Sequence, residues 1–279
     1  MQLTLDGLRE NYEAQFTPLI IYSDAPRCKK DEDLVNEVRS ILDDLEGFYS
    51  MKVVKRKTNL GLSQSIISGV NEVLEEHESI IVLEDDIIPS PFFLKYMNEA
   101  LNKYSVIDRV GCIHAYSYPC SNPLPDTFFL RGADCWGWGT WKNAWNLFEE
   151  NGQTLLDKIL KSQLSYEFDQ DGTFPYTQML RDHINGLIDS WAIRWHASLF
   201  LLDKLCLYPG LSLVQNIGCD SSGTHSLKTN NFHVNLSETP NPQAGGIPYL
   251  KASTNPSSCS IASSSPASPN ALCSLNLSS

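Results

Sequence analysis

Glu84, Asp85 and Asp86 stand side by side at the end of an apolar run, Ser79-Ile80-Ile81-Val82-Leu83, and Ile87-Ile88-Pro89 follows them directly. A β-branched run of this kind reads as a buried strand of a parallel sheet. Ligands of open α/β sheets gather beyond the carboxyl ends of such strands. Three acids placed there lose hydration and repel one another, so they require a compensating cation. A hard divalent ion with oxygen ligands, itself holding phosphates, meets that requirement. A solvated acidic turn is the competing reading of any acidic triplet, and the apolar flanks on both sides weigh against it.

One strand-helix unit earlier, Asn59-Leu60-Gly61 with Ser65, Ser68 and Gly69 places small and polar residues at a strand-to-helix turn. Gly61 permits an unusual backbone angle, and the exposed N–H groups of a helix start favour an anion or a polar ligand. A plain helix cap has the same signature. Further on, Asp189 precedes Ser190-Trp191-Ala192-Ile193-Arg194. The positive end of a helix favours an anionic carboxylate there, and a simple N-cap is again the competing reading. The run Gly218-Cys219-Asp220-Ser221-Ser222-Gly223-Thr224-His225 is a polar loop ending in histidine. His114, at the end of a strand, reads as structural.

The elements that must position these groups follow from periodicity. Leu3, Leu5, Leu8 and Tyr12 have helical spacing, Pro18 to Ser23 reads as a strand, and Asp31 to Leu45 as an amphipathic helix with Leu34, Val35, Val38, Ile41, Leu42 and Leu45 on one face. Met51 to Lys57 alternates as a strand does, Ser63 to Glu76 is a helix, Pro91 to Tyr104 another, and Val110 to Tyr116 a further strand. Strand and helix alternate, so the expected fold class is α/β, a mixed but mainly parallel sheet flanked by helices. Helices are expected over Leu155–Leu164, Tyr176–Asn185 and Ser190–Leu202, and short strands over Leu205–Leu207 and Leu213–Gln215. From Phe128 to Trp141 the chain is dense in aromatics and glycine, and all six tryptophans fall between Trp136 and Trp195. Residues 226–279 lose all pattern, and Lys251 to Ser279 is dominated by Ser, Pro, Asn and Ala, the composition of a disordered tail.

A formal net charge of -12 supplies no basic stripe for phosphodiester backbones, which excludes a nucleic-acid partner. Cysteines at 28, 112, 120, 135, 206, 219, 259 and 273 form no CxxC pair and no zinc spacing, which reads as reduced thiols in a cytoplasmic protein. No apolar run reaches the ~20 residues of a membrane span. The expectation is a soluble chain, at most peripheral to the membrane's inner face through a partner.

Asn59-x-Gly61, the Leu83-Glu84-Asp85-Asp86 strand end and the aromatic block, in that order, resemble a family 2-type glycosyltransferase with the nucleotide-diphospho-sugar transferase (GT-A) fold. The Glu-Asp-Asp variant is also similar to N-acetylglucosaminyltransferases of that fold. The resemblance covers roughly residues 1 to 226. It implies that Asp86 ligates Mn²⁺ or Mg²⁺ bridging a diphosphate, with Asp85 near the ribose and Glu84 near the base or donor sugar. It places Asp24 and Asn59, with Gly61, beside the nucleoside, and His225 in the metal shell or on the diphosphate. Asp189 resembles the family's base for the acceptor hydroxyl, with Asp134 and Asp182 as fallbacks. Trp136, Trp138 and Trp141 suit a stacking platform for the sugar acceptor, although neighbouring tryptophans also form cores. Two of the three are expected to be core. Arg131 would meet either the diphosphate or Asp134.

The resemblance therefore implies a metal-dependent inverting transferase, moving a sugar from a nucleotide-diphospho-sugar, UDP-sugar by default, to a glycan or glycoconjugate. Residues 1–120 would form its donor half and 121–225 its acceptor half. A sugar-nucleotide nucleotidyltransferase and a non-catalytic sugar- or nucleotide-binding remnant are the rival readings. The family's sheet opens with a strand that this chain lacks at its start. The expectation is a sheet missing that strand and, with the irregular tail, an incomplete or frame-altered reading frame.

Overall fold

A computed structural model describes residues 1–120, 123–218, 232–239, 249–250 and 272–277. The chain begins with helix α1 (Gln2–Arg9), followed by strand β1 (Pro18–Ser23), helix α2 (Glu32–Asp43), strand β2 (Ser50–Lys55) and helix α3 (Gly61–Glu76). Strand β3 (Ser79–Glu84) then runs into the acidic turn, short strand β4 (Ile87–Pro89), helix α4 (Phe93–Tyr104) and strand β5 (Val110–His114). The aromatic block supplies β6 (Thr127–Arg131) and β7 (Trp138–Trp141). Helices α5 (Lys142–Trp145), α6 (Gly152–Lys161), α7 (Ser165–Phe168), α8 (Tyr176–Ile184) and α9 (Trp191–Leu201) precede β8 (Leu205–Pro209) and β9 (Val214–Asn216). Strands β10 (Tyr249–Leu250) and β11 (Leu272–Leu277) complete the described chain.

One nine-stranded sheet runs in the order β10-β6-β8-β5-β7-β3-β11-β1-β2, and β4 and β9 form a separate two-stranded ribbon. The large sheet is mixed: β7 is antiparallel to both β3 and β5, and β6 to β8, while the other pairings are parallel. The α/β class with flanking helices agrees with the sequence reading. β3 is central and its four inner residues are buried, as an unbroken apolar run requires.

Three local expectations change. Helix α2 buries only Val35 and Leu42, with Leu34 and Ile41 exposed, so the face that covers the sheet is narrower than the apolar stripe. The aromatic block holds two strands, β6 and β7, where periodicity signalled none. Residues 226–279 were expected to be structureless throughout, yet β10 pairs with β6, and β11 lies parallel between β1 and β3. Its register runs from Leu19↔Cys273 to Ser23↔Leu277 on one side and from Leu272↔Ile80 to Asn276↔Glu84 on the other. The sheet thus has no gap between β1 and β3, because a distant segment supplies the intervening strand. The remainder of that tail lies outside the described residues.

The parallel set β1, β2, β3 and β11 brings Ser23, Lys55, Glu84 and Leu277 to one edge. Because β7 is antiparallel to β3, with Val82 opposite Trp138, the segment entering β7 reaches the same edge. Among the described residues no helix is long and apolar enough to cross a membrane.

Candidate functional site

The acidic turn sits where β3 ends. Burial raises the Glu84 carboxyl to about 8, with Asp86 and then Asp85 adding to the shift. Burial likewise raises Asp85 to about 6, and it raises Asp86 as well. The carboxylates therefore resist simultaneous ionisation. The backbone is well held: the Asp85 carbonyl accepts from Thr4 Oγ1 at 2.7 Å, and the Asp86 carbonyl accepts from Ile217 N at 2.9 Å. The Asp86 side chain is not, since its Oδ1 is buried without a hydrogen-bond partner.

The β4–β9 ribbon brings a second segment against the turn, with Ile87 opposite Asn216. A Cβ on Gly218 would lie 2.1 Å from Asp86 Oδ2, so only glycine lets the chain pass this close. The segment leading towards His225 thus starts at Asp86, while His225 itself lies outside the described residues.

The Asp24 carboxylate and the Asn59 amide nitrogen are engaged with neighbouring backbone. Asp24 is buried; its carboxylate accepts from Ala25 N at 2.8 Å, from Leu60 N at 2.9 and 3.0 Å, and from Gly61 N at 2.9 Å. It closes the start of α3 from across the sheet edge, satisfying donors that a helix N-terminus otherwise leaves open. Asn59 Nδ2 donates to the Ala25 carbonyl at 2.6 Å. Gly61, at φ +73, makes the turn between them, and a Cβ there would meet nothing within 4 Å. These side-chain atoms hold the end of β1 to the start of α3. Gly61 keeps an open surface.

Asp134 arrives at the same edge through the β6–β7 connection. Its Oδ2 accepts from Tyr118 Oη at 2.8 Å and Tyr208 Oη at 3.4 Å, and its Oδ1 accepts from Cys135 N at 2.8 Å. Its side chain is 13% exposed. His114 Nε2 lies 3.8 Å away, but this is not an ion pair. Burial lowers the His114 pKa, and Nε2 already accepts from Trp136 N at 3.1 Å, which assigns a neutral ring. Burial also pushes the Cys135 thiol up, with Asp134, Glu84 and Asp86 adding, so the acidic turn and Asp134 act on one neighbourhood.

Asp189 is different. Its side chain is 67% exposed, 4.0 Å from His183 Nδ1. That nitrogen accepts from Ser190 N at 3.3 Å, and burial together with Arg194 lowers the His183 pKa. The helix cap is the next residue: Ser190 Oγ accepts from Ile193 N at 3.3 Å. The N-cap reading of Asp189 is thereby corrected. Helix α9 ties the region together: Arg194 donates to Ser63 Oγ of α3 at 2.7 Å, and His196 Nδ1 meets the Ala133 carbonyl at 2.7 Å. A Cβ on Gly132 would lie 2.5 Å from the His196 ring, so this glycine is required for α9 to support the Asp134 loop.

Of the expected acceptor platform, Trp138 is 0% and Trp141 6% exposed. Trp138 stacks on Trp191 at 5.1 Å and Trp141 Nε1 donates to the Leu101 carbonyl at 3.1 Å, so both belong to the core. Trp136 is half-buried at the edge, stacked on Tyr118 at 6.4 Å and edge-on to Phe232 at 5.5 Å. Arg131 meets neither the acidic turn nor Asp134. It donates to the Phe200 carbonyl at 2.8 Å and lies 3.4 Å from Asp203. Asp182 is engaged within α8 by Gln178 at 2.7 Å.

Sequence reading missed Tyr118 and Tyr208, which hold Asp134. The alternation Tyr116-x-Tyr118 past the end of β5 was the available signal, since same-face residues recur every second position.

Among the described residues no three His, Cys, Asp or Glu side chains form a ready-made metal site. The arrangement nevertheless suits Mn²⁺ or Mg²⁺, because such ions are held by one or two carboxylates together with substrate phosphates and water. Asp86, with its unpartnered oxygen, is the ligand on offer. A scan against protein-family models and a search of curated proteins find no match to this chain.

Proposed function

We propose that this chain is a metal-dependent, inverting glycosyltransferase of GT-A-like fold, taking a sugar from a nucleotide-diphospho-sugar, UDP-sugar by default, to a glycan or glycoconjugate hydroxyl. One observation carries the reading: three half-buried carboxyls stand together at the carboxyl end of a central strand, and among them Asp86 Oδ1 is buried with no hydrogen-bond partner. Burying such an oxygen without a partner costs free energy that a bound cation would recover.

Asp86 would hold the divalent ion, and His225, as the resemblance implies, would complete its shell or contact the diphosphate. When bound, the ion neutralises the charge of the departing diphosphate. Asp189, exposed and not used as a cap, would take the proton of the attacking hydroxyl. Asp85 and Glu84 would face the donor's ribose and base or sugar, with Asp24 and Asn59 shaping that wall through the backbone they hold. Trp136 would be the one tryptophan left to stack on an acceptor. Activity in the cytoplasm, at the membrane's inner face, belongs to the same reading.

Calorimetry of UDP with Mn²⁺ tests it. Mn²⁺-dependent UDP binding that disappears in Asp86→Ala is the expected result. Absence of binding in the intact protein overturns the reading, and binding without transfer to any acceptor favours the non-catalytic remnant.

A further inference from the structure

A cavity of about 440 Å³ opens beside Asp134, lined by the segment after β5 (Ser117, Tyr118, Cys120), the β8–β9 turn (Leu211) and the stretch containing His233 and Asn235. That volume is in the range of small-ligand sites. Tyr118 forms its wall with the ring and reaches Asp134 with the hydroxyl, so the cavity and the Asp134 neighbourhood share a partition one side chain thick. Tyr118 also stacks on Trp136, the half-buried aromatic at the sheet edge.

The cavity's walls are fixed. Tyr116 Oη donates to the Phe232 carbonyl at 2.7 Å, Val234 N donates to Gln215 Oε1 at 2.8 Å, and Ser237 N donates to the Ser212 carbonyl at 2.9 Å. Gln215 belongs to β9, the strand that also brings Gly218 against Asp86. The same short strand therefore sets both the acidic turn and the far wall of the cavity.

We propose that this cavity seats a neutral sugar unit of the acceptor, next to the unit whose hydroxyl reacts, so that the preferred acceptor is at least a disaccharide. The inference rests on the transferase reading and adds the acceptor's class. Its basis is the lining. Among the described residues that form it there is no Asp, Glu, Lys or Arg, which disfavours phosphate or a charged sugar. Serine, histidine and asparagine interrupt the apolar wall, which disfavours an acyl chain. Hydroxyl and amide groups beside proline, leucine and a tyrosine ring match a sugar, with its polar rim and apolar C–H faces. The first sugar then lies against Trp136 and Tyr118, and the second beyond Tyr118.

Cys120, exposed at the cavity, provides a readout independent of transfer. Alkylation of Cys120 by iodoacetamide is followed by peptide mass, with exposed Cys28 outside the cavity as the internal control. Neutral disaccharides (chitobiose, cellobiose, lactose, maltose) are tested beside their monosaccharides, inorganic phosphate and a detergent. Slowed alkylation of Cys120 but not Cys28 by at least one disaccharide is expected. Protection by none of them, or equal protection by phosphate or detergent, overturns the proposal. Leu211→Trp, at an exposed lining position, should raise the KM of a disaccharide acceptor roughly tenfold or more while leaving hydrolysis of the donor by water unchanged. An unchanged acceptor KM overturns it too. Saccharide protection that persists while Mn²⁺-dependent UDP binding is absent would sink the transferase reading and leave the sugar site standing.

Discussion

Asp134 and Asp189, two of the acids that the family resemblance offers as the base, are built in opposite ways. Asp134 is enclosed, with two tyrosine hydroxyls and a backbone amide already on its oxygens. Asp189 projects outward, and the neighbouring Ser190 takes over the capping task that would otherwise occupy it. A general base needs a lone pair that is still available and a path to the proton it removes. On the proposed reading the exposed Asp189 keeps that capacity, while Asp134 is a fixed post around which the Tyr118 and Trp136 rings are arranged. The same contrast separates Asp86, with an unpartnered oxygen, from Asp24, whose oxygens are spent on the α3 start. Proximity to a site is thus a poor guide to role; unspent hydrogen-bonding capacity is a better one.

The largest effect that would break this contrast is on turnover. Asp189→Asn should lower kcat by about 10²–10⁴-fold with UDP affinity unchanged, the scale of losing a positioned base. Asp134→Asn should instead act chiefly on acceptor KM, and steady-state kinetics with both variants would expose an inverted assignment. Next in size is a stability effect: Asp24→Ala should cost about 1–2 kcal/mol in urea unfolding, the scale of a lost helix cap, because the part-buried amides of Leu60 and Gly61 lose their acceptor.

The acidic turn gives a pH signature of intermediate size. Glu84 is raised from 4.5 to about 8, and Asp85 from 3.8 to about 6, so between those limits the folded state binds more protons than the unfolded state. Metal-free stability should therefore fall as pH rises from about 4.5 to about 8, and Mn²⁺ should restore it most at the alkaline end. Thermal melts across that window should show the slope flattened in Glu84→Gln. The smallest expected change is Tyr118→Phe, about 1 kcal/mol or less for one lost hydroxyl to Asp134, with acceptor KM shifting more than stability.

Much of this edge was legible in the amino-acid order. The run Ile80-Ile81-Val82-Leu83 could only be a buried strand, and the acids after it had to fall at the sheet's carboxyl edge. What sequence could not supply were the partners. Nothing in Asp189-Ser190 says which of two adjacent cap-competent residues turns inward, because either side chain can reach the same backbone amides. Trp138-Gly-Thr-Trp141 is a strand of four residues, too short for alternation to register, and its tryptophans are core because β5 and β3 flank it on both sides. Asp24 is placed beside a nucleoside by the family resemblance alone. Its role became visible only when the amides of Leu60 and Gly61 appeared beside it.

Strand β11 joins residues 272–277 to residues 18–23 and 79–84. Residues up to 277 must therefore be synthesised before the interior of the sheet can close. Pairings of such long sequence separation slow folding, and until β11 arrives β1 and β3 expose unpaired amides and carbonyls to any other extended chain. During synthesis this sheet is completed by late docking, and the open slot between β1 and β3 is the stage most exposed to mispairing.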